Sequence, residues 1–156
     1  MHSIDISALN AFIVRAKADS YVGNGEHSGA SRLGSHDLRF TDGKWSYHDS
    51  YFGGSDFIGE EVVYFEGQPV WAMNYYGRIL RTNLLTAQQA GQMIKESLSQ
   101  MYKEGRFLGG FEFTANNLTY KDTSEGTADS FQGRELIFSG NETAYELLYH
   151  GGLIKD

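Results

Sequence analysis

A ten-residue stretch at positions 71–80, WAMNYYGRIL, recurs late in the chain as YELLYHGGLI at positions 145–154, and this recurrence constrains the fold more than any other feature. Tyr75 corresponds to Tyr149, and Gly77 corresponds to Gly151. The correspondence continues backwards through each half and keeps strands, turns and a preceding helix in the same order. We therefore predict one domain over residues 1–156, built by tandem duplication, with repeats at 4–81 and 85–154.

The residues that the two repeats share are mostly aromatic, acidic or glycine. Further corresponding pairs are Phe40 and Phe113, Tyr47 and Tyr120, Asp49 and Asp122, Phe57 and Phe131, Gly59 and Gly133, and Glu61 and Glu135. A catalytic acid is rarely needed at two symmetry-related places, whereas a structural hydrogen bond is. Asp49 and Asp122 are therefore interpreted as mainly structural.

Hydrophobic periodicity and turn residues predict one helix and four strands in each repeat. The first helix is predicted over residues 5–18 with Asp5 as its N-cap, because apolar residues recur there at helical spacing. The second begins at a capping box formed by Thr86 and Gln89 and ends at Gly105. Strands are predicted at residues 37–41, 44–52, 57–65, 69–80, 107–114, 118–123, 130–139 and 142–154.

The predicted fold class is α+β. Each repeat is a helix followed by a four-stranded antiparallel meander, with the helices packed on one face of a curved sheet. Each unit resembles the cystatin-like arrangement, and two in tandem resemble the duplicated architecture of the β-lactamase inhibitor protein. Two placements of the repeats are open: the meanders join edge to edge as one sheet, or they pack about a pseudo-twofold axis.

Composition excludes several classes of function. The 156 residues carry a formal net charge of −7 and include no cysteine. A chain this acidic, without a Lys/Arg cluster, is not expected to bind nucleic acid directly. The absence of thiols excludes disulfides and thiol nucleophiles. With no secretory signal and no long apolar run, we expect a cytoplasmic protein without a membrane span.

Strand alternation predicts the candidate site. Successive side chains of a strand point to opposite faces of a sheet. The larger apolar set in each copy of the recurrent stretch is predicted to lie under the helices. The other face then carries Asn74, Tyr76, Glu146 and His150, which we predict to converge as a ligand-binding surface. The alternative is an ordinary solvated sheet face.

Two more residues join the candidate ligand-binding set. Glu61 is one of two adjacent carboxylates, of which one at most can face any given site. Arg32 lies in a long polar, Gly-rich loop that could fold over a ligand and contact an anion. The glycines around Gly23 and Gly25 do not match the dinucleotide-binding spacing. The histidine spacing matches no metal-binding motif, so neither a metal nor a cofactor is expected.

Several short runs are distinctive: GSHD at 34–37, YHDSYFGG at 47–54, FIGEE at 57–61, VWAMNYYG at 70–77 and YHGG at 149–152. They resemble an uncharacterised bacterial domain family that occurs alone or C-terminal to XRE-type helix-turn-helix regulators. The resemblance covers nearly the whole chain. It implies a sensor or effector module associated with transcription, although this chain leaves no room for a separate DNA-binding domain.

The leading functional hypothesis is a small-molecule or peptide binding module with a regulatory role, with a homodimer among its expected partnerships. The first alternative is an acid–base hydrolase or lyase using Glu61, Glu146 and His150, which requires these groups on one face and within reach of one another. The second is a protein-interaction or inhibitor-like module that uses the sheet face. Whether the chain is an enzyme is left open at this point.

Overall fold

The computed structural model describes residues 3–22, 26–27 and 29–156. It has an α+β fold in which one open antiparallel sheet is covered on one face by two helices. In the order of the sheet, the first five strands of the chain are followed by the ninth, eighth, seventh and sixth. Each run of four long strands is therefore a meander, and the two meanders meet edge to edge at the fifth and ninth strands. This is the first of the two placements left open by the sequence.

The element bounds agree with the predicted ones at most positions. The helical elements are α1 (Ile6–Lys17), a π-helical turn (Ala18–Val22) and α2 (Ala87–Lys103). The strands are β1 (Glu26–His27), β2 (His36–Asp42), β3 (Trp45–Gly53), β4 (Phe57–Phe65), β5 (Gln68–Ile79), β6 (Phe111–Ala115), β7 (Leu118–Thr127), β8 (Ser130–Ser139) and β9 (Glu142–Leu153).

Three predicted segments differ from the observed ones. The strand predicted over 118–123 continues to Thr127 as β7. The run predicted as a strand from residue 107 pairs only from Phe111 onward. Phe107 lies in the connection after α2, where its ring packs edge-on against Trp71 and Phe131 at 5.9 and 5.6 Å. Its apolar character therefore reflects the core and not a strand. The predicted long loop contains the two-residue β1, and the part around Gly23 and Gly25 lies outside the described residues.

Both helix starts are capped as predicted. The Asp5 carboxylate accepts hydrogen bonds from the Ser7 and Ala8 amides. Thr86 and Gln89 form the reciprocal capping box, which satisfies amides that the first helical turn leaves without partners. None of the helices in the described ranges is long and apolar enough to cross a membrane.

The junction of the meanders is centred on two tyrosines. β5 and β9 pair in a register that sets Tyr75 opposite Tyr149. The row continues across the helix-covered face through Gly59 on one side and Gly133 on the other. Residues opposite one another in adjacent strands share a face of the sheet, so both tyrosine rings lie beneath the helices and are flanked by glycine.

The flanking glycines make room for the tyrosine rings. A Cβ added at Gly59 would lie 2.6 Å from the Tyr75 hydroxyl, and one at Gly133 would lie 2.0 Å from Cζ of Tyr149. Each ring therefore lies across the neighbouring strand and directs its hydroxyl to the strand beyond. Only glycine permits this approach without displacement of a buried ring.

We predict that Gly133→Ala lowers the free energy of unfolding by about 1–3 kcal/mol, because the added methyl overpacks a buried ring. Urea unfolding followed by tyrosine fluorescence measures the loss. Gly91→Ala is the matched control: a Cβ at this exposed helical position meets nothing within 4 Å, so we expect a gain of about 0.5–1 kcal/mol. A Gly133→Ala variant as stable as the parent would contradict the account of ring packing.

Candidate functional site

The face of the sheet opposite the helices carries a transverse polar row. The register places Glu60 opposite Asn74, Asn74 opposite His150, and His150 opposite Gln132. All four side chains therefore lie on the uncovered face, at one level of four adjacent strands. The row combines one carboxylate, two amides and an imidazole, which supply both hydrogen-bond donors and acceptors.

An apolar row lies two residues along the strands from the polar one. Phe52, Ile58, Tyr76 and Leu148 follow one another across β3, β4, β5 and β9. Three of them are large side chains with substantial exposure: Ile58 at 54%, Leu148 at 52% and Tyr76 at 44%. Consecutive rows on one face are about 7 Å apart, so a small molecule can contact both.

The segment before β2 closes one end of this surface. Arg32 Nη2 donates hydrogen bonds to the Ser50 carbonyl at 3.3 Å and to Ser50 Oγ at 3.1 Å. The Arg32 guanidinium lies 4.8 Å from the centre of the Phe52 ring. Arg32 is thereby held at the end of the apolar row, with cation–π contact adding to its two hydrogen bonds.

A buried carboxylate anchors that segment. Asp37 is 1% exposed, and its carboxylate accepts a hydrogen bond from the Ser35 hydroxyl at 2.7 Å and lies 2.5 Å from His48 Nε2. Burial opposes its ionisation, but hydrogen bonds from Ser31, Ser35 and His48 hold the pKa of Asp37 well below its usual range. The charge is thus stabilised locally and supports the position of Arg32.

Together these elements form a groove of about 540 Å³, called the open groove below. Its lining consists of Arg32, Phe52, Ile58, Gly59, Glu60, Asn74, Tyr75, Tyr76, Leu148 and His150. Four of the six candidate ligand-binding residues meet there: Arg32, Asn74, Tyr76 and His150.

The other two candidates lie elsewhere. Glu146 is on the uncovered face but outside the open groove, in an ion pair with Arg134. Glu61 is on the opposite face, fully buried, with one carboxylate oxygen 2.9 Å from Lys17 Nζ and accepting a hydrogen bond from Tyr47 at 2.6 Å. The acid–base alternative requires Glu61, Glu146 and His150 on one face of the sheet, and the structure does not bring them together there. Of the adjacent carboxylates, Glu60 is the one that faces the groove.

The sequence-based prediction did not include Phe52 and Ile58 of the apolar row. Alternation from Glu60 places Ile58 on the same face. The signal for this row is large apolar residues at positions that alternation assigns to the uncovered side. Exposed apolar side chains in a contiguous patch are a more informative sign of binding than exposed polar ones.

The helix-covered face holds two buried acid pairs. Asp49 lies opposite Glu61 in β3 and β4, and Asp122 lies opposite Glu135 in β7 and β8. Tyr75 donates a hydrogen bond to Asp49 at 2.6 Å. Tyr149 donates the corresponding bond to Asp122 at 2.7 Å, so the hydroxyl of each central tyrosine satisfies one oxygen of a buried carboxylate.

Burial raises the pKa values of both carboxyl groups in the second acid pair towards neutral pH. Burial raises the pKa of Asp122 to about 6, against the opposing effect of its hydrogen bond from Tyr149. Burial, followed by the charge of Asp122, raises the pKa of Glu135 to about 7. Tyr120 donates a hydrogen bond to Glu135, which lowers its pKa in part. Desolvation disfavours the charged form of each carboxyl and dominates here.

Comparisons with known proteins give one match. The family described as a domain of unknown function, DUF5680, matches residues 49–154, well over half of the chain. The matched range begins at Asp49 and includes both acid pairs and strands β4, β5 and β9 of the open groove. No curated protein and no solved structure matches the chain.

We predict that the free energy of unfolding falls as the pH rises from about 4 to about 7. The folded state keeps protons on Asp122 and Glu135 that the unfolded chain has released, so raising the pH through this window favours unfolding. Each unit of pKa difference corresponds to about 1.4 kcal/mol. Urea unfolding at a series of pH values gives the slope.

The double variant Asp122→Asn/Glu135→Gln should flatten that slope, because neither amide titrates while both can still accept the tyrosine hydrogen bonds. Glu112→Gln, at an exposed position of β6, is the control and should leave the slope unchanged. An unaltered slope in the double variant would show that other groups cause the pH dependence.

Proposed function

The chain belongs to the DUF5680 family of domains of unknown function, and we propose that it is a binding module for a small amphipathic organic molecule held in the open groove. The observation that carries this proposal is the contiguous, exposed part of the apolar row formed by Ile58, Tyr76 and Leu148. All three lie side by side in register across three strands and remain exposed. A sheet face that only contacted water would gain nothing from this arrangement.

The groove has the composition of a ligand site. Small-molecule sites are concave, mostly apolar, and contain a few placed polar groups that fix orientation, within volumes of roughly 300–1,000 Å³. The open groove falls within that range. The apolar row would contact the apolar or aromatic part of a ligand. Asn74 and His150, directly opposite each other in β5 and β9, would orient polar substituents.

Arg32 favours a ligand with an anionic group. Its described hydrogen bonds use Nη2 and are directed to Ser50, while a guanidinium carries five N–H donors in a planar fork. A ligand carboxylate at the end of the apolar row could therefore contact the other edge of the guanidinium. Glu60 lines the same groove and disfavours a second negative charge near the polar row.

A regulatory role is proposed for this binding. It is motivated by the resemblance to domains that occur C-terminal to XRE-type helix-turn-helix regulators of bacteria. In that context the module would act in the cytoplasm, without contacting nucleic acid itself, and a homodimer would transmit occupancy to a partner domain. Separation of the groove from the helix-covered core is compatible with this role, since the helices are free to contact a neighbour.

We also propose that the two halves arose by tandem duplication of a cystatin-like unit. Tyr75 and Tyr149, which correspond in the two sequences, are direct partners in the sheet. The corresponding Asp49 and Asp122 accept corresponding tyrosine hydrogen bonds. The groove-facing residues Asn74 and His150 do not correspond, so one half of the groove differs chemically from the other.

We predict that a small aryl or alkyl carboxylate binds in the open groove, and that a thermal-shift screen detects it as a rise in Tm, because binding to the native state raises stability by mass action. Leu148→Ser should weaken that ligand by about tenfold or more, equivalent to about 1.4 kcal/mol. Arg32→Ala should weaken carboxylates more than their uncharged amides.

The matched control is Lys121→Ala, which removes a positive charge from the same sheet face outside the groove. It should leave binding unchanged. If only peptides raise Tm in the screen, the proposed ligand class is wrong. If hits bind equally to Leu148→Ser and the parent, the groove is not the site.

A further inference from the structure

A second cavity, of about 80 Å³, lies on the opposite side of the sheet from the open groove, between the strands and the helices. Apolar side chains such as Leu98, Met101 and Leu147 form most of its wall. Its charged lining consists of the second acid pair, Asp122 and Glu135, together with the ion-paired Lys17 and Glu61. A cavity of this size accommodates a few non-hydrogen atoms, and its polar lining makes it unlike the dry voids of apolar cores.

The two acid pairs differ in their counter-charge. In the first pair, Glu61 receives the Lys17 ammonium through contacts of 2.9 and 3.2 Å. In the second pair, neither Asp122 nor Glu135 forms an ion pair among the described residues. A buried carboxylate without a cation is costly to ionise. The second pair thus lacks the cation that the first pair obtains from α1.

Two polar atoms at the cavity are buried without a hydrogen-bond partner. One is Oδ2 of Asp122, whose residue is 3% exposed, and the other is the Tyr145 hydroxyl, whose residue is 1% exposed. Both residues line the cavity. Buried polar atoms without partners are uncommon in folded proteins, and each calls for an explanation. Here a donor placed in the cavity would satisfy the carboxylate oxygen directly.

We propose that this cavity binds a small primary ammonium ion. The ion would pair with Asp122 and Glu135 as the Lys17 ammonium pairs with Glu61. An ammonium group carries three donors. Asp122 Oδ2 and the Glu135 carboxylate, directly opposite each other in β7 and β8, can accept two of them. The short alkyl group of the guest contacts the apolar wall.

A depression on the surface offers a route to the cavity. It has a volume of about 220 Å³ and shares Phe57, Ile94 and Tyr145 with the cavity lining. Gly91 on α2 and Gly54 before β4 also border it. The shared residues place the depression beside the cavity, and we infer that a guest enters from this side.

The charged and titratable groups around the cavity set its pH dependence. Lys17 at the end of α1 is bound by Glu61, and its charge, followed by that of Arg106 after α2, favours the ionised form of Asp122. The remaining titratable groups at the cavity are the tyrosines Tyr75, Tyr102, Tyr120, Tyr145 and Tyr149. Burial raises the pKa of Tyr102 and Tyr120 well above the usual value, so these phenols stay neutral.

An ammonium ion binds the ionised forms of Asp122 and Glu135 in preference to the protonated forms. Burial raises the pKa of Asp122 to about 6 and that of Glu135 to about 7, so protons compete with the guest below neutral pH. Binding near pH 6 should release protons, and the affinity should rise as the pH increases towards 8, where methylammonium itself remains charged.

The test uses methylammonium chloride as the probe, with tetramethylammonium chloride and sodium chloride at the same ionic strength as controls. Tm and isothermal titration calorimetry are measured with the full chain at about pH 8 and about pH 5.5. We expect methylammonium to raise Tm at the higher pH with an affinity at least about tenfold above that at the lower pH. Tetramethylammonium has no N–H donor and should have no such effect.

Asp122→Asn and Glu135→Gln should each weaken methylammonium binding. Asp49→Asn is the matched control, because Asp49 has the same tyrosine partnership but does not line the cavity. Equal stabilisation by all three salts, or equal binding by Asp122→Asn and Asp49→Asn, would overturn the proposal. If Asp122→Asn fails to fold, Glu135→Gln and the pH comparison on the parent protein still decide. Groove ligands should bind to all these variants unchanged, so the two proposals fail independently.

Discussion

The hydrogen bonds from the two central tyrosines to buried aspartates are the interactions on which the rest of the structure depends. Tyr75 and Tyr149 face each other where β5 meets β9, and each spans a glycine to reach a carboxylate two strands away. The bond couples the centre of the sheet to the interior of each meander. It also makes burial of Asp49 and Asp122 tolerable, since a buried carboxylate without donors would favour unfolding.

These bonds also separate the two faces of the sheet. Because side chains alternate, placing the tyrosines and acids beneath the helices directs Asn74, Tyr76 and His150 to the other side. The covered face is thereby occupied by a polar network enclosed in aromatic and aliphatic packing. The uncovered face can vary without disturbing that network, which is why the open groove can carry exposed apolar side chains in the middle of a stable sheet.

The sequence predicts elements better than it predicts sites. Helix caps at Asp5 and Thr86, and most strands, follow from local residue chemistry and are confirmed. Alternation, together with the larger apolar set in each copy of the recurrent stretch, also places Asn74 and His150 on one face. The face of Glu61 relative to theirs requires the register between β4 and β5, and a shift of one residue would reverse it. That register, with its irregularity between Val63 and Tyr64, depends on tertiary packing that local patterns do not contain.

The differences between the halves carry more information about function than their similarities. The shared tyrosines, glycines and acids account for the architecture, and the fold needs them in both halves. Lys17 forms its ion pair with Glu61 of the first acid pair, while Leu98 and Met101 of α2 present apolar surface to the cavity beside the second pair. On the uncovered face, Asn74 of one half lies opposite His150 of the other. The first of these differences lies at the cavity and the second in the open groove, so the two faces of one scaffold have chemically different linings.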